Sequence, residues 1–407
     1  MGTVFFPLDK VLDLPSTGLL PHAFRSLTRL TAMVPFAQAT QTLQELQGIT
    51  VSRSTARRLC LRVGQASQQV QEEQADPQAQ VPEEVPGEQM VMSTDGAYVP
   101  LVGGVWGEVK LLSIGEVQPA SWNPSSQQME IKTQKLSYFA RLEEASHFSD
   151  HASGEVRRRG IERATAVCAV QDGALWLQEI VQAHRKDAVR ILDFAHAAEY
   201  VHEIGEVVCA TGRHLPARWL QGVLHRLKHD GPDRVLEHIH WLVERINDPE
   251  AQKKERYLST RREQMDYPTF QHAGWPIGSG IVESGNKVVM QARLKGAGMH
   301  WKPENVNPVL ALRMALYNER WQENWQAQWK TQQQTKEQRR WLRQQERVKQ
   351  RNEHANALRV LVAPPLPPPE LEAPPVTQPK GRTAAQHRCG RQTFSPRALQ
   401  EGRYAKK

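Results

Sequence analysis

Apolar residues recur three and four apart through PHAFRSLTRLTAMV and FAQATQTLQEL, and the pattern resumes from Ser52, so residues 22 to 66 are expected to be helical. The second pair of helices, over about 36–66, reads as a helix-turn-helix. Gly48 supplies its turn, Ile49 and Val51 pack inside it, and Ser52 caps the next helix. Residues 68–88 are rich in Gln, Glu and Pro and read as a polar linker. From Met90 the pattern changes to strands. QMVMSTDGAYVPL, WGEVKLLSIGEV and KLSYFARLEEA are three of them, followed by a helix near His147 to Gly160 and a buried strand, ATAVCAVQD.

Three strands, a helix and a further strand form an α/β layer whose order matches an RNase-H-like core, covering residues 89–196 and 266–320. The connection between Asp172 and Glu283 is far longer than one crossover needs, and residues 197–265 are helical in pattern, which makes them an all-α insertion carrying Trp219 and Trp241. After it, GWPIGSG is a glycine-rich turn into a helix from about Ile281, on which Glu283, Lys287 and Leu294 share one face. Residues 321–358 form a long polar helix whose Trp321, Trp325 and Trp329 make a packing seam. A proline-rich linker over 359–382 and a basic, disordered tail over 383–407 complete the chain, as the helical region 1–67 begins it.

Composition narrows the partners. A net charge of +8 favours a polyanion. The positive charge is clustered. Arg53, Arg57, Arg58 and Arg62 lie on one predicted helix with no acidic residue between Glu45 and Glu72, and Lys287, Arg293, Lys295 and Lys302 precede Glu304 without an intervening acid. Both runs suit DNA phosphates. Four scattered cysteines include no CxxC pair, which excludes a disulfide framework or zinc site within the chain, and no apolar run reaches transmembrane length. A soluble cytoplasmic protein is expected, with no membrane partner.

Three carboxylates stand in distinctive surroundings: Asp95 in STDGAYVPL, Asp172 in AVQDGALWL and Glu283 in GWPIGSGIVESGNK. Three such groups on separate core elements are what two magnesium or manganese ions need for phosphoryl transfer, because oxygen ligands bind and space the pair. Asp95 and Asp172 would lie side by side at one edge of the sheet, Asp95 ending or interrupting the first strand and Asp172 ending the fourth. Asp193 in ILDFAH also follows a β-patterned run and rivals Asp172 as second ligand. Alone, Asp193 and His196 equally fit a helix cap and a partly buried histidine.

The strings DGAYVPL with downstream WGEVK, then QDGALWL, DFAH, and PIGSGIVESGNK running into RLKGAGMHW resemble the DDE transposases of ISKra-type bacterial insertion sequences, related to the Mutator-like superfamily. The resemblance spans residues 4 to 330 or so. It implies a helix-turn-helix before an RNase-H-like core with a helical insertion, Asp95, Asp172 and Glu283 as the metal-binding triad, and Asp193 with His196 as an auxiliary pair. Such relatives often carry a cysteine-rich zinc ribbon before a segment like GTVFFPLD, so the resemblance also implies a truncated or mis-started chain, or a lost ribbon. The expected activity is hydrolysis at insertion-sequence ends followed by attack of the freed 3′-OH on target DNA, in a homodimer or larger complex holding the terminal inverted repeats. A nuclease without strand transfer and a non-catalytic DNA-binding derivative of a transposase are the alternatives.

Overall fold

In the computed structural model, the structure describes residues 19–361 except 125, 126 and 174. The expected proline-rich linker, the basic tail and the side chain of Trp329 lie outside what is described. The chain divides between Leu342 and Arg343 into two units. The first holds everything below. The described part of the second is the rest of the last helix, exposed over residues 343–354.

The N-terminal helices are α1 (Pro21–Met33), α2 (Phe36–Gln47) and α3 (Arg53–Ala75). Gly48 ends α2 with φ 67°, a left-handed conformation that glycine adopts without strain. The Ser52 side chain accepts from the Thr55 amide at 3.2 Å, and Ile49 and Val51 pack against the core, so the expected turn is present. The chain stays helical to Ala75, well into the expected linker, because Val70 and Gln71 still find neighbours: Val70 is buried and Gln71 donates to the Ala311 carbonyl.

Strands β1 (Gln89–Pro100), β2 (Trp106–Val117) and β5 (Thr133–Arg141) pair antiparallel, and β6 (Ala166–Gln171) and β7 (Val189–Leu192) extend the sheet in parallel, giving the order β5-β2-β1-β6-β7. A small hairpin, β3 (Ser121–Asn123) with β4 (Gln128–Glu130), stands apart and had no sequence expectation. Both sheet faces are covered, and the strands show it residue by residue. Met90 and Met92 enter one core while Val91 enters the other, and Val167 and Ala169 alternate with Cys168 and Val170 in the same way.

The first core joins the sheet to α1–α3, to α4 (Ala145–Arg158) and to α13 (Pro303–Tyr317). The N-terminal helices therefore share their apolar interior with the sheet. The second core joins the other face to α6 (Phe194–Ala210), α7 (Trp219–His229), α8 (Asp233–Ile246) and α9 (Pro249–Ser259), which occupy the expected insertion, and to α10 (Tyr267–His272), which lies past its expected end at 265. Helix α5 (Leu175–His184) links β6 to β7. After α10 come α11 (Gly280–Gly285), a π-helical stretch at Asn286–Gln291 and α12 (Ala292–Leu294).

The π turn corrects the expected face. Glu283 and Lys287 are exposed whereas Leu294 is buried, because a π turn holds more residues than an α turn and rotates everything after it. The last helix, α14 (Trp321–Leu361), begins as a packing seam as expected. Trp321 is buried, and Trp325 sits 5.5 Å from the Phe24 ring centroid.

Helix α3 crosses α13 at Gly64, where a Cβ would collide with the Pro308 backbone. Gly64→Ala should therefore destabilise the fold by about 1–3 kcal/mol in urea unfolding, although alanine is the better helix former. A neutral or stabilising result would show that the crossing can relax.

Glu84 accepts from Arg158, Arg159 and Arg320, while Glu323 takes both Arg158 Nη groups at 2.5 and 2.6 Å. Burial opposes the Glu84 charge, but Arg320, Arg159 and Arg158 outweigh it and hold the carboxyl below its ordinary value; the Arg158 hydrogen bond does the same for Glu323. Both carboxylates thus stabilise the fold fully above pH 4.5, the ordinary value, and lose that contribution as pH falls through their depressed folded values. Thermal melting should show a steep acid loss that Glu84→Gln with Glu323→Gln flattens; an unchanged slope would mean the cluster is fully screened.

Candidate functional site

The parallel register brings two of the three carboxylates together. Met92 opposite Ala169 is the last β1–β6 pair, and beyond it side chains continue the contact: Ser93 Oγ donates to the Val170 carbonyl at 2.6 Å and Gln171 Nε2 to Thr94 Oγ1 at 2.9 Å. The next residues along both strands are Asp95 and Asp172. Asp172 follows β6 as expected. Asp95 does not end or interrupt its strand, because β1 stays paired to β2 as far as Pro100, and only the β6 partner stops.

The third carboxylate arrives on α11, which lies over β1 and β2 because Gly285 permits close approach. A Cβ there would meet Tyr138, Leu111 and Ser113 at 2.8, 2.9 and 3.0 Å, and Leu111 is the cross-strand partner of Asp95. Asn286, the next residue, donates from Nδ2 to Asp95 Oδ2 at 2.6 Å, and the Gly96 amide donates to Asp95 Oδ1 at 2.7 Å. Asn286 is 4% exposed, and its Oδ1 is buried without a partner among the described residues. Sequence reasoning passed over Asn286. Its signal was position alone, three residues after Glu283.

Electrostatics tie the group together. Burial pushes the Asp95 carboxyl above its ordinary value; Asp172 and Glu283 push the same way, against the Gly96 and Asn286 hydrogen bonds. Asp95 therefore feels both other acids. Among the described residues, no three His, Cys, Asp or Glu side chains converge closely enough to hold an ion unaided. Carboxylate oxygens and the orphaned Asn286 amide oxygen are the donor type hard divalent cations take.

Asp193 has a different place. It caps α6, its Oδ2 accepting from the His196 amide at 3.3 Å, and its Oδ1 accepts from the Ser279 amide at 3.0 Å, just before Glu283. With both oxygens on backbone amides and 6% exposure, it clamps the start of α6 to the turn that launches α11. The His196 ring lies 5.1 Å from Tyr200 and 6.0 Å from Tyr257, and the Tyr257 hydroxyl donates to the Asp172 carbonyl. Arg261 donates to the Gly173 carbonyl at 2.8 Å, so the insertion grips the backbone at Asp172 from outside.

The basic residues separate. Arg53, Arg57, Arg58 and Arg62 are exposed on α3, and Lys287 and Lys295 are exposed beside α11 and α12. Arg293 is buried, donating from Nε to the Thr31 carbonyl at 3.0 Å. Trp301 is a core residue whose indole donates to the Leu294 carbonyl at 3.1 Å. In the insertion, Trp219 donates to His238 at 2.8 Å, and exposed Trp241 carries Arg245 at 3.9 Å over its ring. No helix among the described residues is long and apolar enough to cross a membrane. Compared with models of known protein families the chain matches none, and no curated protein matches it.

Because folding disfavours a charge at Asp95, its ionised form costs stability at neutral pH. Asp95→Asn is expected to raise Tm at pH 7, with the gain vanishing below pH 3.8, the ordinary value of the group. A lowered Tm at pH 7 would mean that the Gly96 and Asn286 hydrogen bonds outweigh burial and repulsion.

Proposed function

We propose that the protein is a DNA transposase of the DDE kind, built on an RNase-H-like core, that cuts element ends and joins their 3′-OH groups to target DNA. The observation that carries this reading is the electrostatic grouping of Asp95, Asp172 and Glu283 from three separate elements, on a sheet ordered β5-β2-β1-β6-β7. A carboxylate whose charge is opposed by its own burial and by two neighbouring acids, as that of Asp95 is, is a standing cost, and such costs concentrate where chemistry needs them. The motif resemblance and the clustered basic residues point to the same substrate.

Two divalent cations, magnesium or manganese, would supply Lewis acidity at the scissile phosphate and lower the barrier for the attacking oxygen. Asp95, at the centre of the group, would hold both, with Asp172 and Glu283 holding one each. Few protein ligands suffice, since magnesium keeps waters and takes substrate phosphate oxygens alongside one or two carboxylates. Asn286 would orient Asp95 through its 2.6 Å hydrogen bond. Asp193, 6% exposed, would act by positioning Glu283, because it joins the start of α6 to the turn that launches α11. Lys287 and Lys295 would steer phosphates, and the arginines on α3 would hold the repeat.

Labelled element-end DNA with magnesium or manganese tests this. Joined product should be lost in Asp95→Ala, Asp172→Ala and Glu283→Ala, and reduced about 10–100-fold in Asn286→Ala. Cutting without joining would make the protein a nuclease, and DNA binding without metal-dependent cutting by the folded wild type would make it a non-catalytic DNA-binding protein.

A further inference from the structure

A groove of about 620 Å³ lies between the N-terminal helices and the segment after α12. Its lining includes Phe36 at the start of α2, Arg53, Arg57 and Leu61 on α3, and Arg293, Met299 and Lys302 from the other side. The two sides are fixed to each other. Arg293 bonds the Thr31 carbonyl of α1 and lies 4.7 Å from the centre of the Phe36 ring, and Trp301 pairs with the Pro100 and Val102 backbone at the end of β1.

Arg293 is the anomaly. It is 1% exposed, its Nε has a partner, and its Nη2 is buried with none among the described residues. Buried guanidinium hydrogens without acceptors are costly, and an oxygen anion in the groove would satisfy this one. Burial lowers Arg293 to about 10, which still leaves it a cation at neutral pH. Arg53, Arg57 and Lys302 are exposed around it, and among the described residues no acid lines the groove; Lys302 has Glu304 at 4.0 Å. The N-terminal end of the 23-residue α3, with no acidic residue in its first turn, adds the positive end of a helix dipole. Cations thus meet an apolar wall of Phe36, Leu61 and Met299 in a space of small-ligand size.

We propose that this groove grips one nucleotide unit of a DNA strand, its phosphate among Arg53, Arg57, Lys302 and Arg293 and its sugar and base against Phe36, Leu61 and Met299. The inference rests on the DNA reading above and adds a strand contact made by residues other than the carboxylates. It joins the helix-turn-helix to the segment that follows the Glu283 helix, so that DNA seated on α3 would also touch the catalytic half of the chain.

Binding of a short fluorescein-labelled DNA strand to the full chain, measured by anisotropy in EDTA over a range of salt, tests the groove without catalysis. Arg53→Gln with Lys302→Gln changes only exposed residues and should keep the wild-type melting temperature. It should weaken binding about tenfold at moderate salt and lower the slope of log affinity against log salt by about 1.4, the release expected from two lost contacts to a single strand. Lys132→Gln, beyond the far end of β2, should change affinity and slope by no more than half as much. Wild-type affinity and slope in the Arg53/Lys302 variant would overturn the proposal. So would deoxyadenosine monophosphate competing as strongly as the strand does, since the groove would then be a free-nucleotide site. Failure of metal-dependent cutting would sink the transposase reading while leaving this binding result standing.

Discussion

Arg313 is fully buried with no acid beside it among the described residues, and the geometry of the candidate site depends on how that charge is accommodated. Its guanidinium donates to the Ala32 carbonyl at the end of α1, at 2.5 Å, and to the Val288 and Val289 carbonyls in the π-helical stretch. Carbonyls near a helix C-terminus carry partial negative charge, so they can hold a cation that would otherwise be costly to bury. Burial lowers the pKa of Arg313 accordingly. A side chain entering the hydrogen-bond ladder is a recognised cause of a local irregularity, and here the ladder is the wide π kind where Arg313 enters. The wide turn keeps Glu283 and Lys287 outward while Asn286, Val289 and Leu294 turn inward.

That constraint connects distant parts of the chain. Arg293 takes the Thr31 carbonyl beside the one that Arg313 takes, so two buried arginines fasten the end of α1 to the helix that carries Glu283. On the other side of the sheet, Asp193 fastens α6 to the turn before α11, and Tyr257 and Arg261 fasten the insertion to Asp172 and Gly173. The carboxylates are thus held by backbone contacts from three directions. Such holding lets Asp95, Asp172 and Glu283 persist near one another despite the burial and the repulsion that raise Asp95.

The strands were legible because both sheet faces are buried, so runs such as QMVM, KLLSI and AVCAV carry apolar residues toward both cores. Asp172 and Glu283 were legible for a related reason: each stands beside a glycine turn after a β-patterned or glycine-rich run. The π turn was not, because its cause includes Arg313, which is remote in sequence and reads as one more polar position in a helix. Asn286 was hidden by the same shift of phase. Asp193 was ambiguous in sequence because a ligand and a helix cap use the same residue type, and its bond to the Ser279 amide at 3.0 Å joins positions too far apart in the chain to leave a local signal. The end of α3 was misplaced because glutamine and glutamate suit a linker and a helix alike, and burial of Val70 extends the helix.

The central claim is that Asp95, Asp172 and Glu283 form one cation-binding group. Titration of the full chain with manganese, followed by electron paramagnetic resonance of the free ion, measures it without DNA or catalysis. The account predicts saturable binding that Asp95→Asn abolishes and that Asp172→Asn or Glu283→Gln each weaken, with Asp193→Asn retaining it. Binding in all variants alike, or none in the wild type even when DNA is added, would contradict it.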